Sequence, residues 1–355
     1  VHEEGRTPIR AKTPCKVSRD ERERHELTHT PFRPWCEFCV MGRGRNQDYQ
    51  TKHDTDKREE QEMQVPRMSC DYFFLSHQDE DAKTNPMVVM VDDSTGEKYA
   101  RVVEHKGITG EIGASMDWLV MDMSSELKSW GHGGGPDGHI IIKSDGESSI
   151  KSVVAALARY HGGRVVPELS AKGESQSNGR AEEAGKTVRG FARILKFQLE
   201  RNAGVSVEEV GDVALWMVRW AAMLASRFLV GKDGKTSYER RRGRKCRIAV
   251  VPFGETVMYK ELGKDKKSME TQWKTGIWLG HARNSNEELV GTKDGVVRAY
   301  SIIRKPEGEG WDASMLREMK GSPQQPNPSK PGLHIPSKIT FDPPGQGDVE
   351  ASVPL

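Results

Sequence analysis

Between residues 67 and 104 the chain alternates short apolar runs with turns. Met68–Leu75 and Met87–Val91 read as strands, Asp92–Glu97 as a turn and Lys98–Glu104 as a third strand. The spacing suits two antiparallel hairpin connections. A helical period follows: Ile112, Met116, Leu119, Val120, Met123, Leu127 and Trp130 recur at three- and four-residue steps, as one buried helix face requires. The Gly-rich run 131–138 ends it. His139–Ile142 predicts a fourth strand leading to Asp145, Ile150, Val153, Val154 and Leu157 a second helix, and Arg164–Val166 a brief fifth strand. The order β-β-β-α-β-α-β-α predicts an α/β fold, a mixed five-stranded sheet with flanking helices.

After a polar Gly/Ser-rich loop at 168–180, a helix is expected from near Ala181 to about Asn202. Ser206-Val-Glu-Glu209 reads as a capping box opening a second helix that runs to about Val230. Residues 232–247 are strongly basic, and 248–303 alternate short apolar runs with turns, as a small β-barrel would. Nine of the 18 prolines fall between 306 and 355, which predicts a disordered tail. The expected division is a flexible arm (1–24), a His/Cys module with a charged linker (25–66), the α/β core (67–203), a helix and basic linker (204–247), the barrel (248–303) and the tail (304–355).

Composition narrows this picture. The 355 residues carry 54 Lys+Arg against 52 Asp+Glu, so the net charge of +2 excludes a wholly basic nucleic-acid coat but leaves room for local basic patches. A hydrophobic share of 35% fits two or three domains with polar connections better than one large core. The longest apolar stretch, Ala214–Val230, is interrupted by Arg219 and Arg227, which excludes a membrane span there. The chain starts at Val1 with no apolar leader after it, as a fragment or a piece cut from a polyprotein would. Five scattered cysteines are too few for a disulfide scaffold and suggest a reducing compartment.

Three carboxylates sit where a sheet could bring them together: Asp71 in the first strand, Asp145 just past the fourth, and Glu182 in the first turn of a helix. Asp71 lies in an otherwise apolar segment, where a carboxylate costs stability unless it is paired or metal-bound. Two-metal phosphoryl transfer needs such hard oxygen ligands. From Glu182, the residues Lys186, Arg189, Arg193 and Lys196 fall on one stripe of the helix, while Ala184, Val188, Phe191, Ala192, Leu195 and Leu199 take the opposite side. One acid followed by four bases, with no further acid expected on that stripe, suits a helix laid along a phosphate backbone. A solvated helix face is the alternative.

Asp71, Asp145 and Glu182 resemble the D,D-35-E triad of retroviral and copia-type retrotransposon integrases, whose catalytic core has an RNase H-like fold. Ser177-Asn-Gly-Arg-Ala-Glu182 is similar to the family's Asn/Gln-Gly-x-x-Glu signature, and Ser144-Asp-Gly-Glu147 to the stretch around its second Asp. Thirty-six residues separate Asp145 from Glu182, one more than usual. The family carries Lys at four and seven beyond the Glu; Lys186 matches, and Arg189 keeps the charge but not the geometry. Farther on, Thr236-Ser-Tyr-Glu239, Phe253-Gly254 and Gly276-Ile-Trp-Leu-Gly280 are similar, in order, to segments following the core in copia-type polyproteins. The resemblance covers about 25–303. It implies an enzyme that processes DNA 3′ ends and transfers strands, two Mg²⁺ or Mn²⁺ ions on the three acids, DNA and further copies of the chain as partners, and entry into the nucleus after assembly in cytoplasmic particles.

His25-x3-His29 and Cys36-x2-Cys39 supply four ligands within 15 residues, imidazole and thiolate in equal numbers, which suits tetrahedral Zn²⁺. Trp35 and Phe38 should pack around the metal, while Cys15 is a poor fifth ligand and Cys70 and Cys246 read as small apolar fillers. The resemblance again agrees, since integrases carry an N-terminal His-His-Cys-Cys module, although here only six residues separate the two pairs. Arg240, Arg241, Arg242, Arg244, Lys245 and Arg247 form the densest basic run: a DNA-binding stripe, a nuclear localisation signal or a solvated linker. Besides the integrase, the sequence admits a related RNase H-like nuclease or transposase, and a degenerate or domesticated relative that only binds DNA.

Overall fold

The structure, a computed structural model, describes residues 17–43, 65–76, 80–81, 85–107, 114–133, 138–169, 178–261 and 271–330. Ile112, Cys15, Ser177 and most of the expected arm, charged linker and polar loop lie outside the described residues.

The core is a mixed sheet of β1 (Arg67–Phe73), β2 (Met87–Asp92), β3 (Lys98–Val102), β4 (His139–Ser144) and β5 (Arg164–Leu169). Its order is β3-β2-β1-β4-β5, antiparallel through the first three and parallel from β1 to β4 to β5. This is the five-stranded architecture expected from the sequence. Pro167 is tolerated because β5 is an edge strand.

Alternation along the strands sorts the side chains between two faces. Met68, Cys70 and Tyr72 pack with α3 (Ala114–Trp130) and α4 (Ser148–Tyr160), through Leu119, Met123, Leu127, Ile150 and Val153. Phe73, Met87, Val89 and Val102 point the other way, into a second core shared with α5 (Gly179–Ala203) and α6 (Gly211–Phe228). Asp71 falls on this second side by the same alternation.

Helix α6 is buried along most of its length because it lies between the sheet and the C-terminal barrel. The barrel is closed by β6 (Thr256–Glu261), β7 (Lys274–His281), β8 (Glu288–Thr292) and β9 (Gly295–Arg304). The Trp220 and Trp278 rings meet edge to face with centroids 5.0 Å apart. Gly280 permits that approach: its φ is +104°, and a Cβ there would stand 2.6 Å from the Trp220 ring. No helix among the described residues is long and apolar enough to cross a membrane.

Two expectations need correction. Ser206 caps only a 3₁₀ turn at Val207–Glu209, accepting from the Glu208 amide, and α6 starts afresh at Gly211. The capping box occurs instead at Thr236 and Glu239, opening α7 (Ser237–Arg242). The segment 304–330 is also no disordered tail. Asp312 caps α8 (Ala313–Glu318), Leu316 and Met319 are buried, Gly321 O accepts from Trp216 Nε1 at 2.7 Å, and Gln324 Nε2 donates to Val102 O at 2.9 Å. This strap thus returns to the edge strand β3. Proline content gave the wrong expectation because a few apolar anchors suffice to dock such a segment. Residues 331–355 lie outside the described residues. Cys70 is buried as expected, but Cys246 is only half-buried.

If the strap is part of the fold, Leu316→Ala should destabilise the full chain by about 2–5 kcal/mol, as other large-to-small core changes do. Urea unfolding checks this; an unchanged midpoint would return 305–330 to the status of a passive tail.

Candidate functional site

In the parallel ladder between β1 and β4, Cys70 lies opposite Ser144. The next residues are Asp71 and Asp145, so two carboxylates emerge side by side where that ladder ends. Tyr72 N donates to Asp71 Oδ1 at 2.8 Å, and Asn178 Nδ2 donates to Asp71 Oδ2 at 3.1 Å. Burial pushes the Asp71 carboxyl up to about 6, and repulsion from Asp145 and Glu147 adds to this. Asp145 Oδ1 accepts from Glu147 N at 3.0 Å, which folds the loop after β4 back on itself. On the rim, Lys106 Nζ lies 3.2 Å from Glu147 Oε2 and over the Tyr72 and Phe74 rings.

Asn178 connects this pair to α5. It is buried just before the helix and also reaches Cys70 O at 3.4 Å. Glu182 lies four residues later, one turn along the same side of the helix, and is exposed. The structure therefore brings Asp71 and Asp145 together and sets Glu182 one turn from the residue that holds Asp71. Among the described residues, the three carboxylates do not gather into one metal-ligand cluster. Residues 170–177, which lead into α5, are outside the described set.

Helix α5 has three faces. Ala184, Val188, Phe191, Ala192, Leu195 and Leu199 bury against the sheet and α6, as their spacing predicts. A second face receives the N-terminal module. Helix α2 (Glu37–Arg43) comes so close that a Cβ on Gly42 would stand 2.5 Å from Ile194 Cγ1, and Gly190 faces it without a side chain. Gln198 Nε2 donates to Glu26 O at 2.9 Å, Arg201 pairs with Glu37, and the Arg43 guanidinium lies 4.7 Å from the Phe191 ring centroid. The third face carries Glu182, Lys186, Arg189 and Arg193. At the end of the stripe Glu200, eighteen residues after Glu182 and therefore on the same side, takes the Lys196 ammonium at 2.7 Å, and Lys196 is only 15% exposed. The stripe thus ends in an ion pair, which the sequence reading missed by stopping at residue 196.

The His/Cys quartet converges. Helix α1 (Arg19–Glu26), capped by Ser18, presents His25; His29 follows in the left-handed region at φ +53°; Cys36 precedes α2 and Cys39 lies inside it. The cysteines therefore sit at the opening of a helix. All four residues are buried, with one ligand atom of each within 4.8 Å of the others. His25 Nε2 is 3.2 Å from Cys39 Sγ, and His29 Nδ1 is 3.7 and 3.8 Å from Cys36 and Cys39 Sγ. A tetrahedral site with Zn–S near 2.3 Å and Zn–N near 2.0 Å has edges of about 3.5 Å. Hydrogen bonding between the thiols pulls Cys36 down and pushes Cys39 up, and a bound cation would favour the thiolate of both. Trp35 and Phe38 pack against His25 and His29 as expected. The donor set and its spacing fit zinc.

The basic segment divides. Arg240 is held by Asp233 at 2.6 Å and donates to Thr95 O; Arg241 is held by Glu97 at 2.7 Å and donates to Ser129 O. Both arginines fasten α7 to the sheet and α3. Arg242, Arg244, Lys245 and Arg247 remain exposed. Sequence reasoning also missed the hydrogen bond from Asn178, although the Asn-Gly-x-x-Glu string contains that residue, and the Lys106–Glu147 pair, for which no local pattern exists.

No family model matches the chain, and no curated protein matches it. Among solved structures, it is similar to a chain of the simian T-cell lymphotropic virus intasome in complex with PP2A regulatory subunit B56 gamma, at 13% identity and a TM-score of 0.36 over 77% of this chain and 88% of that one. It is also similar to the catalytic core domain of BIV integrase, at 13% identity and a TM-score of 0.33 over 51% of this chain and 95% of that one. At these TM-scores the superpositions are loose, and the sheet order and site geometry stand without them.

The Asp71 environment sets a pH signature. Its carboxyl is raised from 3.8 to about 6, so the folded state holds the proton more tightly than the unfolded chain. Its stabilising contribution is full below about pH 4 and is lost as pH rises through about 6. In Mg²⁺-free buffer, Asp71→Asn should therefore be more stable than wild type at pH 7.5, by at most about 3 kcal/mol, with the gap closing by pH 4. Paired urea titrations check this; a gap independent of pH would contradict the buried carboxyl.

Proposed function

We propose that this chain is an integrase-type polynucleotidyl transferase of the copia class that trims DNA 3′ ends and joins them to target DNA. The observation that carries the proposal is the continuity from Asp71 and Asp145 through Asn178 to the third face of α5, where Glu182 is followed by Lys186, Arg189 and Arg193. Hard oxygen donors side by side, one of them destabilised by burial, fit Mg²⁺ or Mn²⁺. Asp71 and Asp145 would hold such ions, with Glu182 completing the set. When bound, the ions supply charge stabilisation for an in-line displacement at phosphorus.

The chain's own residues do the rest. Tyr72 N and Asn178 fix the Asp71 carboxylate by one hydrogen bond to each oxygen. Cations at one-turn steps along α5 hold the phosphate backbone leading away from the reacting phosphodiester. Arg242, Arg244, Lys245 and Arg247 add a second basic surface. The N-terminal quartet takes one Zn²⁺ as a structural ion, whose role is to hold α1 and α2 against α5. Assembly into a multimer and action in the nucleus belong to the same proposal.

A second reading, a DNA-binding derivative without catalysis, draws support from the failure of the three carboxylates to gather into one metal-ligand cluster. A duplex nicking and strand-joining assay separates the two. With Mg²⁺ or Mn²⁺ the wild-type chain should nick and join, and Asp145→Asn or Glu182→Gln should lose about 100-fold or more while still binding DNA. A wild-type protein that binds but never cleaves favours the second reading. Replacing Lys186, Arg189 and Arg193 by Ala should weaken binding to many sequences alike and lower the salt slope of log K by roughly 0.9 per lost contact.

The zinc assignment has its own test. The purified full chain should carry about one zinc ion, and Cys36→Ser should lose most of it together with stability of the N-terminal module. Elemental analysis showing undiminished zinc in the variant would remove the quartet from the account.

A further inference from the structure

The contacts that close the barrel onto the sheet are out of charge balance. A cavity with about 440 Å³ of empty space, its mouth included, lies at the β3 edge between α3, α6, α7 and the turn after β7. Six cations line it: Lys98, Arg101, Arg219, Arg227, Arg241 and Arg283. The carboxylates that meet them are fewer. Asp122 takes Arg101 at 2.9 Å and Arg283 at 2.5 Å, Glu126 takes Arg283 at 2.6 Å, and Glu97 takes Arg241 at 2.7 Å. Lys98 Nζ donates to Gly96 O.

Arg219 and Arg227 are left over. They lie two turns apart on α6, are 7% and 8% exposed, and have no carboxylate ion-paired to them among the described residues. Arg219 Nη2 donates to His281 O at 2.8 Å, and Arg227 Nη2 to Asn286 Oδ1 at 3.2 Å. The Nη1 of each is buried without a hydrogen-bond partner. Burial, then Arg101 and Arg283, lower the Arg219 guanidinium to about 9. Glu126 and Asp122 act on Arg219, and Glu97 on Arg227, from beyond ion-pair distance. A buried cation without a counter-charge in contact is costly, and folded proteins leave few buried donors unmade. Two such groups lining one cavity form a cationic receptor.

We propose that this cavity is a binding site for a single phosphate group, held by the idle donors of Arg219 and Arg227. Paired guanidiniums are the donors best matched to a tetrahedral oxyanion. Most of that space is open mouth and little of it is enclosed, so a single phosphate group suits it and a nucleotide does not. Once bound, the anion neutralises the junction of the sheet edge, α6 and the barrel turn. The site stands at the β3 edge, away from the carboxylates at the ends of the inner strands β1 and β4, and does not depend on the integrase reading.

The test uses the full chain and inorganic phosphate. Its melting temperature should rise by about 5 °C at 100-fold saturation, relative to chloride of equal ionic strength. The double variant Arg219→Met/Arg227→Met should lose that rise, and it should not melt below wild type in phosphate-free buffer, because it removes two uncompensated charges. Should the variant fail to fold, a selenate soak of wild-type crystals keeps the test open: an anomalous selenium peak between the two arginines supports the site. A short duplex at matched phosphate concentration, with free phosphate inert, would assign the group to a nucleic-acid backbone; a rise with the free ion assigns it to soluble phosphate. Ordered water alone at the arginines, or a phosphate effect retained by the double variant, overturns the proposal.

Discussion

The proposed DNA-processing site depends on one helix, α5, that is packed on two sides and keeps a third stripe apart. With about 100° per residue, a 25-residue helix offers faces wide enough for two separate docking surfaces and leaves one stripe over. In α5 the sheet takes Val188, Phe191 and Leu195, and the N-terminal module takes Gly190 and Ile194. The remaining stripe begins with exposed Glu182 and Lys186, continues with half-buried Arg189 and Arg193, and is closed by the Lys196–Glu200 pair. Asn178 then fixes the start of the helix to the carboxylate of β1. Sheet, metal-ligand module and basic surface are thereby held in one frame.

That frame accounts for the small residues at the contact. Gly42 and Gly190 let two backbones approach where side chains would hold them apart. The ion pairs at this boundary are exposed and contribute little individually. Close packing, together with the buried quartet that links α1 to α2, holds the module against α5. At the β3 edge of the sheet the arrangement reverses. There the junction is charged and buried, with Arg101, Asp122 and Arg283 joined in one network and Arg219 and Arg227 outside it.

The order of strands and helices was legible because each element carries its own period: alternation in β1 to β3, three- and four-residue steps in α3 to α5. The His/Cys cluster was legible for a related reason, since its ligands are close in sequence as well as in space. Contacts between distant positions were not. Arg241 looks like one charge in a run of six until Glu97, 144 positions away, is brought beside it. Asn178 and Asp71 are 107 residues apart, and only the fold makes them a pair. The strap at 305–330 was misread because proline content reports local chain stiffness, whereas Leu316 and Gln324 find their partners across the molecule.

The central claim is that one face of α5, and not the helix as a whole, meets DNA. A photo-crosslinking amino acid placed in turn at Lys186, Arg189 and Arg193, and for comparison at Phe197 and Arg201 on the module face, tests it most directly with a labelled duplex. The account predicts DNA adducts from the first three positions and little or none from the last two. Equal crosslinking from both sets, or none from the first, would contradict it.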